Sequence, residues 1–326
     1  MRLLLSLIFI AVSTPSLATT AVITGVTLEG NTLTIAGSNF EPENPMLFWD
    51  DATLNMTELG LKSGDPLPKP STGLWKLNSQ MQFTTAEDAK TNFQDTYYIG
   101  TGRNRFLEVP KHASPASLKN KIFVSWWYKP SMSPHAEGGS NKFIRIWDEP
   151  NGKGTRISWT QMHFTCNDDL KWGSWNGDVN KWNHHMINVD LTLNSVKTWV
   201  NGKLVIDSKC HKTTAFPSNL LYVGNIGFDH GSEAYATMKT SLDDIYIATS
   251  PARVEISESA SWSETMKREV LPITSWNSTK ITAKSHKGVV LASNLVYAYV
   301  YDANGVSNKT GFKIKCDKCP KLPLPL

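Results

Sequence analysis

Three short stretches of this 326-residue sequence carry side chains suited to sugar chemistry at two-residue spacing. If residues 142–147 run as a strand, Phe143, Arg145 and Trp147 share one face. Trp159, Gln161 and His163 do so on a second strand, and His184, Asn188 and Asp190 on a third. Aromatic faces pack against sugar C–H surfaces, while guanidinium, amide and imidazole groups satisfy hydroxyls. Arg145, Trp147, Trp159, Gln161, His163, His184 and Asn188 are therefore the candidate glycan-binding residues, and a polysaccharide or glycoconjugate is the expected partner.

No catalytic residue is assigned. Glu149, Glu233 and Glu255 are isolated in sequence. Asp168 with Asp169, and Asp243 with Asp244, are neighbours that point to opposite faces of a regular strand, so neither makes the facing carboxylate pair of a hydrolase. His184 and His185 diverge for the same reason and cannot chelate one metal from a regular strand. No phosphate-binding glycine loop and no local nucleophile signature occurs.

The elements that must position these groups are strands. Long helical periodicity is missing, and short alternating runs separated by Gly, Asn, Asp, Ser and Pro recur along the chain, which reads as all-β. Gly30 and Asn31 mark one hairpin. Asn201 and Gly202, between alternating runs, mark another with the positive-φ pair of a type I′ turn. The chain holds twelve tryptophans and a formal charge of +4, with Lys and Arg scattered rather than striped, so nucleic acid is not expected as a partner.

The first eighteen residues read as a secretory signal: Arg2, an apolar run from Leu3 to Val12, and small residues at Ser16 and Ala18. The run is too short to span a bilayer and no later stretch is long enough, so a secreted protein without a membrane span is expected. In an oxidising compartment Cys166 and Cys210, both in the middle region, are expected to pair. Cys316 and Cys319 suit a small local disulfide or half of a zinc site.

Two family resemblances rest on particular runs. Leu33-Thr-Ile-Ala-Gly-Ser-Asn-Phe40 resembles the second strand of IPT/TIG domains, which are small immunoglobulin-like sandwiches. Ile273–Ala283, Tyr297–Val306 and Gly311–Ile314 resemble later strands of the same fold. Between them, Ile122-Phe-Val-Ser-Trp-Trp-Tyr128, the Val196–Val205 hairpin and Ser241-Leu-Asp-Asp-Ile-Tyr-Ile247 occur in an order that resembles the concanavalin A-like lectin/glucanase superfamily, in its laminin-G-like jelly-roll branch. With the signal segment (1–18) set aside, the resemblances imply N-terminal strands of an Ig-like unit (19–48), a jelly-roll β-sandwich (49–251), an Ig-like unit (252–315) either completed by those N-terminal strands or separate from them, and a flexible tail (316–326).

A jelly roll of this kind implies glycan binding on a sheet face, with the Ig-like unit as spacer. The carboxylate run of the family's glucanases is missing. Its polysaccharide lyases use a charge-neutralising group and a His or Tyr base, roles open to Arg145, Gln161, His163 and Tyr128. A structural component of an extracellular assembly is the third reading. Carboxylates at a jelly-roll edge also suit a structural calcium ion, here at Asp243 and Asp244.

Overall fold

In the computed structural model the described residues are 21–68, 73–78, 80–88, 93–111, 120–135, 141–149, 151–264, 266–285 and 295–314. The proposed signal segment, Cys316, Cys319 and the tail lie outside them. The chain is nearly all β, in two packed pairs of antiparallel sheets. Among the described residues no helix is long and apolar enough to cross a membrane.

The larger pair holds a seven-stranded sheet in the order β12 (Asp169–Trp172), β11 (His163–Cys166), β10 (Arg156–Thr160), β9 (Lys142–Trp147), β16 (Tyr222–Asp229), β7 (Arg105–Pro110) and β4 (Trp75–Asn78). Facing it is an eight-stranded sheet. Its order is β15 (Lys203–Lys209), β14 (Ser195–Val200), β13 (Asn183–Asp190), β8 (Lys121–Pro130), β17 (Lys239–Ala248), β6 (Phe93–Thr101) and β5 (Gln82–Asp88), with β3 (Met46–Asp50) paired to β17. A short helix, α1 (Ala52–Glu58), follows β3 and is capped by Asp51, whose side chain accepts from Thr53 N at 2.8 Å.

The smaller pair joins the N-terminal hairpin to the C-terminal region. One sheet runs β1 (Val22–Glu29), β2 (Thr32–Ser38), β21 (Lys280–Lys284), β20 (Ile273–Trp276). The other runs β19 (Arg268–Val270), β18 (Arg253–Ser257), β22 (Tyr297–Tyr301), β23 (Phe312–Lys313). Leu33 and Ile35 of β2 meet Ala283 and Ile281 of β21 across the ladder and are buried with them. Both turn signals are realised. Gly30 sits at φ 59° in the β1–β2 turn, and Asn201 and Gly202 take φ 50° and 83°.

Strand β8 shows why the two pairs form one body. Ile122, Val124, Trp126 and Tyr128 point inward into the core between the large sheets. Phe123 points outward and joins Met186, Tyr246 and Ala248 in the apolar cluster that fills the smaller sandwich. The outer face of the eight-stranded sheet is therefore partly covered, which is why a strand bounded by Lys121 and Lys129 is apolar on both sides. The outer face of the seven-stranded sheet has no such cover among the described residues. The Cys166–Cys210 disulfide ties β11 to the segment after β15, with Cα atoms 5.5 Å apart.

Candidate functional site

The nine residues grouped by alternation do not share one surface. Strands β9, β10 and β11 belong to the seven-stranded sheet and β13 to the eight-stranded sheet, so His184, Asn188 and Asp190 lie on the opposite side of the molecule from Arg145, Trp147 and His163. Trp159 is fully buried and packs edge-on against Trp126 and Phe143 in the core. Gln161 is fully buried, its Oε1 accepting from Asn141 N at 2.9 Å. Phe143 is buried because the β9 ladder slips there: Trp159 pairs Ile144 but Thr160 pairs Lys142, so Phe143 is the extra residue of a bulge. It turns inward while Arg145 and Trp147 stay outward. Tyr128 is also in the core, where burial holds its hydroxyl well above the ordinary phenol range, and it cannot serve a ligand on the outer face.

Arg145, Trp147 and His163 remain on the outer face, and the fold brings others to them. Arg145 lies opposite Asn225 of β16 and pairs with Asp229 at 2.5 Å; Asn225 Nδ2 lies 3.5 Å from the same carboxylate. Arg145 Nε and Asn225 Oδ1 are buried and have no hydrogen-bond partner among the described residues. Trp147 meets Tyr222 edge-on at 6.3 Å, and its ring lies where a side chain on Gly224 would be, 2.6 Å from a hypothetical Cβ. Arg145 sits over the Trp147 ring at 5.7 Å. Phe106 and Glu108 extend the face on β7, and the exposed Trp172 meets His163 at 5.4 Å.

Burial raises Glu108 above the ordinary carboxylate range, with Asp229 adding to the effect. Burial lowers Lys142, helped by Arg145. His163 is held below the ordinary imidazole range by burial and then by Lys142, so it is neutral near pH 7, with its Nδ1 3.2 Å from Thr160 Oγ1. The face thus offers four aromatic side chains, Trp147, Tyr222, Phe106 and Trp172, around a set of polar groups of mixed charge.

Asn225, Asp229, Glu108 and Trp172 were not found from sequence. Tyr222 lies in a run whose β character is legible, but the ladder shift beside Gly224 breaks the alternation that would have placed Asn225. Asp229 has no local signal at all, since its role arises from a neighbouring strand.

A second cluster forms at the other sheet. Asp243 and Asp244 do not diverge: a ladder irregularity between Asp243 and Tyr246, with Asp244 at φ 47°, turns both carboxylates towards Asp51, and all three offer oxygens within 4.8 Å of one another. Calcium–oxygen distances are about 2.3–2.6 Å, so oxygens at that separation can share one ion. Beside them Asp50 is buried, accepts from Trp75 Nε1 and the Tyr98 hydroxyl, and is pushed up to about 7 by desolvation. Adjacent His184 and His185 do diverge. His184 stacks on Trp127 and bonds Ser125, whereas His185 lies among Trp126, Trp159 and Phe143.

No family model matches the chain, and no curated protein matches it. Among solved structures it is similar to a Trypanosoma rangeli sialidase in complex with a difluoro-nononic acid (10% identity, 64% of this chain and 31% of that one, TM-score 0.38). It is similar to domain 4 of an extracellular arabinanase from Geobacillus stearothermophilus in complex with arabinotriose (13% identity, 71% and 93%, TM-score 0.35). It is also similar to an alginate lyase variant in complex with alginate trisaccharide (12% identity, 67% and 98%, TM-score 0.32). The chain spans less than a third of the sialidase's length.

Proposed function

We propose that this is a secreted carbohydrate-binding protein whose larger sandwich, a concanavalin A-like jelly roll over residues 49–251, binds a glycan on the outer face of its seven-stranded sheet. The smaller sandwich, from residues 19–48 and 252–315, is an IPT/TIG-like spacer that covers the opposite sheet. The observation that carries this reading is the Arg145–Asp229–Asn225 group: a half-buried polar set with an unpartnered donor and an unpartnered acceptor, set beside the Trp147 and Tyr222 rings. Sugars are recognised by that combination of aromatic surface and directed polar groups. Asp51, Asp243 and Asp244 would hold a calcium ion that stiffens the β3–α1 and β17 junction.

The neutral His163, on the same face as Arg145, favours one second reading, a lyase in which His163 takes a proton and Arg145 steadies a uronic carboxylate. The test is retention of the mature protein on a panel of neutral and uronic polysaccharides, with absorbance of unsaturated uronides followed in parallel. Retention that is lost in Trp147→Ala supports binding. New absorbance lost in His163→Ala supports the lyase. Neither signal across the panel overturns both.

A further inference from the structure

The two sandwiches meet around a cleft of about 270 Å³ whose walls come from both. On one side stand β13 and β14 of the eight-stranded sheet. On the other stand β18, β22, the turn at 303–305 and the loop that carries Trp262. The approach is close: a Cβ on Gly202, in the β14–β15 turn, would fall 1.6 Å from the Glu264 carbonyl oxygen, so only glycine lets the hairpin seat against that loop.

Each sandwich contributes one half-buried tryptophan to the lining, Trp199 and Trp262. Trp262 is held in place, its Nε1 donating to the Tyr301 hydroxyl at 2.9 Å and Lys309 lying over its ring at 4.5 Å. The Asn188 amide lines the cleft and makes no hydrogen bond among the described residues. Ser195 and Asn304 add polar side chains at the same opening.

Charge narrows the ligand. Of the ionisable groups lining the cleft, Arg253 and Arg268 face Glu255 just behind it, at 2.6 and 3.7 Å, Lys197 is paired with Asp207, and Asp190 with Lys121. The exposed Glu264 balances the remaining arginine. The cleft therefore carries no net charge to recruit an ion. Its volume lies just below the usual range of roughly 300–1,000 Å³ for small-molecule sites, which suits a ligand of one or two rings.

We infer that this cleft is a second carbohydrate site, separate from the face of the seven-stranded sheet, which takes the neutral terminal one or two sugars of a glycan between Trp199 and Trp262, with Asn188 as a hydroxyl partner. The choice of sugar as the ligand class rests on the carbohydrate-binding reading above; the site itself does not share a residue with that face. Because both sandwiches line it, an occupied cleft holds them together as well as binding the glycan.

The test titrates the mature protein with neutral mono- and disaccharides (glucose, galactose, mannose, N-acetylglucosamine and their dimers), following tryptophan fluorescence and ligand-detected NMR. Trp199→Ala and Trp262→Ala are expected to weaken binding at least tenfold, and Asn188→Ala about threefold, while Trp147→Ala leaves it unchanged. Asn188→Ala removes only an amide without a partner and keeps the fold, so its result stands even if a tryptophan variant is poorly folded. Binding that falls only in Trp147→Ala overturns the second site and leaves the sheet-face reading intact. Binding of these small sugars that falls only in the cleft variants is the expected result and supports the second site; the sheet-face reading is judged separately, by the polysaccharide retention that Trp147→Ala removes. No binding by any of the sugars overturns the second site.

Discussion

Lowering the pH from 7 to 4 is expected to draw stability out of this fold through His185. The ring is fully buried, both of its nitrogens lack hydrogen-bond partners among the described residues, and desolvation, then neighbouring His184, lowers its pKa to about 3. The folded-state value is depressed, so the histidine is neutral in the fold while the unfolded chain takes up a proton below about 6.5. Stability is present above that pH and is lost as pH falls towards 3. By linkage the loss between pH 7 and 4 is about 3 kcal/mol for this one group. Asp50 works in the opposite direction. Its folded value is raised to about 7, so it favours the fold below the ordinary carboxylate range and loses that contribution as pH rises through 7. The wild-type profile alone is therefore ambiguous, and the informative quantity is a difference. His185→Leu keeps an apolar side chain of similar size among Trp126, Trp159 and Phe143 and removes the titration. Denaturant unfolding of both proteins at pH 7, 5.5 and 4 is expected to show the variant gaining about 3 kcal/mol on the wild type across that range. A difference that stays constant with pH would refute the argument, because it would mean that the folded protein accepts a proton on His185 as readily as the unfolded chain.

The tryptophans of β9 and β10 separate surface from core. Trp159→Ala is expected to cost about 3–5 kcal/mol in denaturant unfolding, from the buried volume it empties. Trp147→Ala is expected to leave stability within about 1 kcal/mol of wild type while polysaccharide retention falls tenfold or more; equal loss of stability in both would place Trp147 in the core. If Asp51, Asp243 and Asp244 share a calcium ion, unfolding in calcium at a hundred times its dissociation constant gains about 2.7 kcal/mol over unfolding in chelator, and Asp243→Asn abolishes the difference. Identical melting with calcium and with chelator removes the metal. Replacing Cys166 and Cys210 by serine opens a loop of 44 residues and is expected to lower stability by about 4 kcal/mol, read from the denaturant midpoint under non-reducing conditions.

Local pattern carried much of the architecture. Period-two runs bounded by turn residues announce strands, because the pleat sends alternate side chains to opposite faces whatever else the chain does. The Asn201–Gly202 turn was legible because few residues other than Asn and Gly accept two successive positive φ angles. Cys166 and Cys210 were a legible pair because they share the middle region and a disulfide needs only two reachable thiols.

The composition of the site was decided elsewhere. Alternation names which residues share a face of a strand, but not which face looks into the core or which sheet the strand joins, and so it could not separate Trp147 from Trp159 or β13 from β9. It also fails wherever a ladder slips. One extra residue at Phe143 turned that ring inward, and an irregularity at Asp243 brought together two carboxylates that a regular strand holds apart. Asp229 reached Arg145, and Asp51 reached Asp243, only through hydrogen-bonded neighbours distant in sequence. The sequence by itself determined strands, turns and the disulfide, all of which depend on local sterics or on two named atoms. The tertiary structure alone decided which side of each sheet is covered, because that depends on where the second sandwich packs, and with it which aromatic and polar groups are left free to meet a ligand.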